Sequence, residues 1–146
     1  MKKAVYLSLA LVLFVFASAE KAFACGCAAS LEPLEKQIQA AFVNSEAVFS
    51  GKVVEVKESP ADESKFIVKI KVAQSWKGAA KREIFITTAK ESSMCGYGFE
   101  IGKKYLVYAN GLKDDPFVEN CSRTAVFSDK GDAKYLSKLK RRKKSG

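Results

Sequence analysis

Four cysteines, Cys25, Cys27, Cys95 and Cys121, constrain this chain more than any other feature. They lie behind a segment with the layout of a secretory leader. Lys2 and Lys3 are followed by an apolar run from Ala4 to Ala17, broken only by Ser8, and then by Ala22-Phe23-Ala24. Small residues at the first and third places of that tripeptide suit a signal peptidase. The run is too short to span a bilayer core of about 30 Å as a helix. Residues 1–24 are therefore expected to be a cleaved signal peptide, which leaves Cys25 at the N-terminus of a secreted or periplasmic protein. A lipid anchor on Cys25 fits less well. Ala22 stands where lipoprotein signals usually carry Leu, bulky Phe23 intervenes, and an odd thiol would be left over.

Disulfides persist outside the cytosol, so four cysteines imply two bridges with three possible connectivities. Cys25 and Cys27 are too close for an easy mutual bridge, which favours a distant partner for each. Zinc held by four thiolates is the rival, but the spacing lacks the paired knuckles of a zinc ribbon. The chain has no histidine. That excludes a Ser-His-Asp triad, a Cys-His dyad and any His-ligated metal site.

The 146 residues allow one domain, and 48% hydrophobic residues suit a folded one. Leu31, Leu34, Ile38, Ala41 and Phe42 recur at helical spacing. Ser30 is available as a cap, and Pro33 is tolerated in a first turn. A β-branched stretch from Ala47 to Lys57 follows, and its alternation slips at Gly51, predicting a bulge or bend. Phe66, Val68, Ile70, Val72 and Trp76 alternate with Lys65, Lys69, Lys71 and Lys77 in a second strand. Glu83 to Thr88 and Tyr105 to Ala109 read as the third and fourth strands. Phe117 to Cys121 reads as a fifth, with Lys113 to Pro116 as its turn. Asp132 to Leu139 reads as a short helix. Phe42, Val48, Trp76, Ile84 and Tyr105 are expected in the core. The expected fold is mostly β, a five-stranded Greek-key barrel like the OB-fold with a helix before it and one after it. A sandwich is comparable on strand count alone.

Residues 25–137 form the expected domain and 138–146 a basic tail. The formal charge is +9, yet six positive charges lie between Lys138 and Lys144. The tail reads as a solvated end, or as a contact for an anionic surface polymer. Nucleic acid is not expected, because no aromatic residues interleave with the basic ones. Gly96, Gly98 and Gly102 read as turn residues, and Asp114-Asp115 beside Pro116 as part of a turn.

With Cys25-Gly26-Cys27 at a fresh N-terminus, the chain resembles the inhibitory domain of the tissue inhibitors of metalloproteinases, in the netrin-like superfamily. The likeness is to a single-domain, bacterial-type form of that family. Gln39 to Asn44 with Val48, Ser75-Trp76-Lys77-Gly78, Met94-Cys95-Gly96, Gly102 to Leu106 and Cys121 complete an ordered set of matches. The resemblance implies bridges Cys25–Cys95 and Cys27–Cys121. It implies an inhibitor, not an enzyme, that puts the Cys25 α-amino and carbonyl groups on the zinc of a target metalloprotease. Gly26, Cys27, Ala28 and Ala29 would run along the cleft, flanked by Ser93 and Met94. The inhibitor would need no cofactor, hold no metal of its own and act as a monomer. Three features depart from the family. Gly26 offers no side chain to the primary pocket, Val43 replaces a further cysteine, and the family's C-terminal domain is missing. The alternative is a non-inhibitory netrin-like module that holds an anionic polymer or a partner protein, with Cys25 and Cys27 as plain staples.

Overall fold

The computed structural model describes residues 25–79 and 81–144. The expected leader, residues 1–24, lies outside them. Helix α1 spans Leu34–Asn44 and helix α2 spans Asp132–Lys144. Between them run β1 (Ala47–Glu58), β2 (Lys65–Lys77), β3 (Glu83–Ala89), β4 (Lys104–Leu112), β5 (Asp115–Phe117) and β6 (Ala125–Val126). The sheet order is β1-β2-β3-β5-β4, and β4 returns to pair with β1. The five strands thus close into the expected barrel, with β3 and β5 parallel and the other pairs antiparallel. β6, not foreseen, adds two residues to the edge of β4.

Closure depends on the bend in β1. Its pairing with β2 slips between Ser50 and Gly51. A Cβ at Gly51 would stand 2.6 Å from both Ile70 Cγ2 and the Lys71 carbonyl oxygen. Only glycine lets the two strands approach this closely at the bend. Inside the barrel, Phe49, Val53, Val68, Ile70, Ile86, Tyr105 and Val107 form the main core. A second core, with Ile38, Val48, Tyr108 and Leu136 at its centre, lies between the barrel and the two helices.

Several expectations change. Trp76 faces the helices, not the barrel interior, and its indole N–H donates to Ser137 Oγ at 3.3 Å. The register of β1 and β2 shifts again at Val48/Phe49, near the end of β2, and carries Trp76 out of the inner row. The fifth strand is Asp115–Phe117, not Phe117 to Cys121. The turn tightens to Lys113-Asp114, and Pro116 pairs within the hairpin opposite Gly111. Helix α1 starts at Leu34 with Pro33 as N-cap, because a proline drives the residue before it away from helical backbone. Ser30 instead accepts the Glu32 amide, and Leu31 is fully exposed. Helix α2 runs past Leu139 to Lys144, so much of the basic stretch is helical.

Lys77 explains the Trp-Lys-Gly segment at the end of β2. Its ammonium donates to the carbonyl oxygens of Phe42 (3.1 Å) and Val43 (2.9 Å). It thereby satisfies two orphan carbonyls at the C-terminus of α1, where the helix dipole favours a cation. Gly78 follows with φ 69°, a left-handed turn that leads out of the strand.

Candidate functional site

The segment from Cys25 to Leu31 has no regular secondary structure. An unpaired segment of this kind normally frays. Here two bridges hold it, Cys25–Cys95 and Cys27–Cys121, each with Cα atoms 5.2 Å apart. This is the pairing that the resemblance implied. All four thiols are used.

The receiving cysteines are themselves fixed side by side. Cys95 closes the 3-10 turn Ser92–Met94 in left-handed conformation, φ 63°, and its amide donates to the Ser92 carbonyl. The Asn120 amide donates to the Cys95 carbonyl at 2.8 Å, and Gly96 forms a bridge with Glu119. Both loops are docked on β3. The Tyr97 amide donates to Thr88 Oγ1 and the Val118 amide to the Thr87 carbonyl. As a result Cys25 Sγ and Cys121 Sγ, from different bridges, lie 3.8 Å apart. Neither sulfur carries a proton, so this is van der Waals contact and not a hydrogen bond.

Gly96 makes this approach possible. A Cβ there would collide with the Ala89 carbonyl oxygen. Beneath the connector, Tyr97, Phe99 and Tyr105 stack at centroid separations of 4.7 to 6.0 Å. Burial pushes the Tyr97 phenol above its ordinary pKa, and neighbouring Tyr105 adds to the shift.

The expected contact residues come together on this ridge. Gly26, Cys27, Ala28 and Ala29 are exposed, and Cys25 is half-buried. Ser93 and Met94 belong to the turn that delivers Cys95, so the first bridge sets them beside Cys25, and both are exposed. The space where a Gly26 side chain would project is open, with nothing within 4 Å. Beside the ridge is a shallow hollow of about 260 Å³ that includes Met94, Cys95, Thr88 and Phe117 in its lining. Among the described residues, no group of three or more His, Cys, Asp or Glu side chains is placed to hold a metal ion.

One supporting cluster was not foreseen. Arg123, two residues past Cys121, makes a two-pronged bond to Asp132 on α2, with Nε–Oδ2 at 2.8 Å and a second guanidinium nitrogen 2.9 Å from Oδ1. Its remaining nitrogen donates to Gln37 Oε1 on α1, and the Tyr108 hydroxyl donates to Asp132 Oδ2. The cluster clamps both helices and β4 to the loop that carries Cys121. Burial, then the Asp132 charge, pushes the Tyr108 phenol far up, so it stays protonated and donates. The Asp132 hydrogen bond raises the Arg123 pKa further. No motif marks these residues; they lie far apart in sequence and meet only through the barrel.

A family model, tissue inhibitor of metalloproteinase, matches residues 23–141. A search of curated proteins finds no match. The match takes in the ridge, the whole barrel and most of α2, and with it the chain belongs to the tissue inhibitor of metalloproteinase family.

Proposed function

We propose that the protein is an exported inhibitor of zinc metalloendopeptidases and works through the ridge at Cys25. Removal of residues 1–24 frees the Cys25 α-amine. An unperturbed α-amine has a pKa of about 7.7–8, so its neutral form is accessible near neutral pH. Its lone pair and the carbonyl oxygen of the same residue make a five-membered chelate on the target's zinc. They replace the water that a catalytic zinc keeps in its open position. The zinc belongs to the protease, and the inhibitor brings no metal or cofactor and acts as a monomer.

The observation that carries this reading is the double anchor. Two bridges one residue apart hold Cys25 and Cys27, while Gly26, Ala28 and Ala29 stay exposed. A segment ordered before binding loses little entropy in the complex. Ala28 and Ala29 run on along the cleft, with Ser93 and Met94 as the flank. Gly26 meets the primary specificity pocket without filling it. The burial of a larger side chain there is forgone, which narrows the targets to proteases with a shallow pocket.

Mass spectrometry of the exported protein tests the premise. The reading requires a chain that begins at Cys25 with an unmodified amine and both bridges intact. An acylated, lipidated or extended N-terminus would rule the mechanism out.

A further inference from the structure

A groove of about 450 Å³ lies between the C-terminal part of α1, the end of β2 and α2. That is within the range of about 300–1,000 Å³ usual for small-molecule sites. Phe42 and Val43 of α1, Trp76 of β2, and Leu136 and Leu139 of α2 give it an apolar lining. The apolar stripe of α2 outruns the surface that covers it. Leu136 is 1% exposed in the second core, whereas Leu139, one turn on, is only half-buried. Val43 is 63% exposed. The Trp76 N–H is taken by Ser137, so the indole brings carbon surface to the groove. Among the described residues, the polar side chains of the lining are Gln39 and Lys140, and no carboxylate is present. Lys140 Nζ donates to the Ser75 carbonyl at 2.8 Å, and an ammonium has three protons, so two remain for a ligand. A second ammonium, that of Lys77, is held by the Phe42 and Val43 carbonyls and lies 5.7 Å from the Phe42 ring centroid.

We propose that this groove binds a single-chain anionic amphiphile, a long-chain carboxylate of the fatty-acid kind. An apolar trough with cations beside it and no acid in it complements one apolar tail carrying one negative head. The tail covers Phe42, Val43, Trp76 and Leu139, and burial of its carbon surface supplies most of the affinity. The carboxylate accepts from Lys140, whose place is already set by the Ser75 carbonyl, so little side-chain entropy is lost. Lys77 adds a favourable field from the α1 side. A flat bilayer would reach Val43 but not the recessed Leu136 and Trp76, which favours one inserted chain over a membrane surface. The groove uses none of the ridge residues and does not depend on the inhibitory reading.

Trp76 is the one tryptophan of the chain, so its emission reports on the groove directly. The test titrates the oxidised protein with butyrate, octanoate, decanoate and dodecanoate below their micellar concentrations, and with decanol as a neutral comparator. Trp76 emission should change saturably with the long chains and not with butyrate. Affinity should rise about three- to fourfold per added methylene until the groove is full. The melting temperature should rise with dodecanoate, as it does for a ligand of the folded state. Val43→Asp, at an exposed position, should weaken dodecanoate binding at least about tenfold by setting a carboxylate against the tail. Lys140→Gln should weaken dodecanoate binding about fivefold and leave decanol binding unchanged. The proposal is overturned if dodecanoate gives no saturable change at Trp76, or if it lowers the melting temperature. It is also overturned if butyrate binds as tightly as dodecanoate, if either variant binds dodecanoate like the parent, or if phosphatidylglycerol vesicles bind more tightly than monomeric dodecanoate.

Discussion

Removing one bridge at a time, as Cys25→Ala/Cys95→Ala and Cys27→Ala/Cys121→Ala, yields an unusual energetic signature. The two bridges close loops of 70 and 94 residues. Taken alone, chain entropy values them at about 4.4 and 4.7 kcal/mol. They are not independent, however. With Cys25–Cys95 in place, the covalent path from Cys27 to Cys121 runs two residues back to Cys25, across the bridge, and 26 residues on from Cys95. The loop closed by the other bridge follows the same path. Each bridge therefore closes an effective loop of about 28 residues, worth about 3.6 kcal/mol when the other is intact. The two single-bridge variants should lose nearly equal stability, within about 0.3 kcal/mol, despite their different sequence separations. Removing both should cost about 8 kcal/mol, more than twice either single loss and comparable with the whole stability of a domain this size. Urea unfolding of the four proteins, extrapolated linearly to water, supplies the numbers. Single losses that differ by more than about 1.5 kcal/mol, or a double loss smaller than the sum of the singles, would refute the shared-loop argument.

The remaining predictions bear on the support of the ridge and on one loop. Gly96→Ala forces a Cβ against the Ala89 carbonyl and should cost about 1–3 kcal/mol in thermal or urea unfolding. It should also weaken inhibition by shifting Cys95; a fully stable, fully inhibitory variant would contradict the packing described. Asp132→Ala strips Arg123 and Tyr108 of a shared partner and should cost about 2–3 kcal/mol. A double-mutant cycle with Arg123→Ala should show the two losses to be strongly non-additive. The Asp62 carboxylate accepts the Ser64 hydroxyl, then a bond from Lys65 and the Ser64 amide, and is held down at about 2. Its contribution is therefore present above the unfolded value of about 3.9 and is lost as pH falls through about 2. An NMR titration of Asp62 with its midpoint at an ordinary carboxylate value would contradict that loop geometry.

Much of the barrel was legible in period-two patterning. The long valine-rich β1, its slip at Gly51 and the alternation of β2 all appear where the residues place them, because burial of one face imposes that period. Alternation misplaces Trp76 because it assumes an even pleat, and β2 itself carries extra residues opposite β1 at Ala73 and at Trp76. The length of α2 was hidden because apolar spacing ends at Leu139, although Lys and Arg are good helix formers and extend it. Pro116 read as a turn breaker, yet a three-residue strand tolerates it. For the ridge, spacing alone separated Cys25 from Cys27 but left the pairing open. Family resemblance supplied the connectivity. The Arg123–Asp132 clamp left no trace in the sequence, since its members meet only once the barrel has closed.

The free Cys25 terminus is the centre of the account, and one added residue tests it most directly. The measurement is the inhibition constant against a sensitive zinc metalloendopeptidase. It compares the chain beginning at Cys25 with the same chain carrying one extra Ala before it, both checked for two intact bridges. The extension turns the Cys25 amine into a peptide amide, whose nitrogen no longer offers a lone pair to zinc, moves the free amine one residue outward and leaves the barrel untouched. The expected loss is about a thousandfold or more, the scale of a hot-spot contact worth ~4 kcal/mol. Equal inhibition by the two proteins would contradict it.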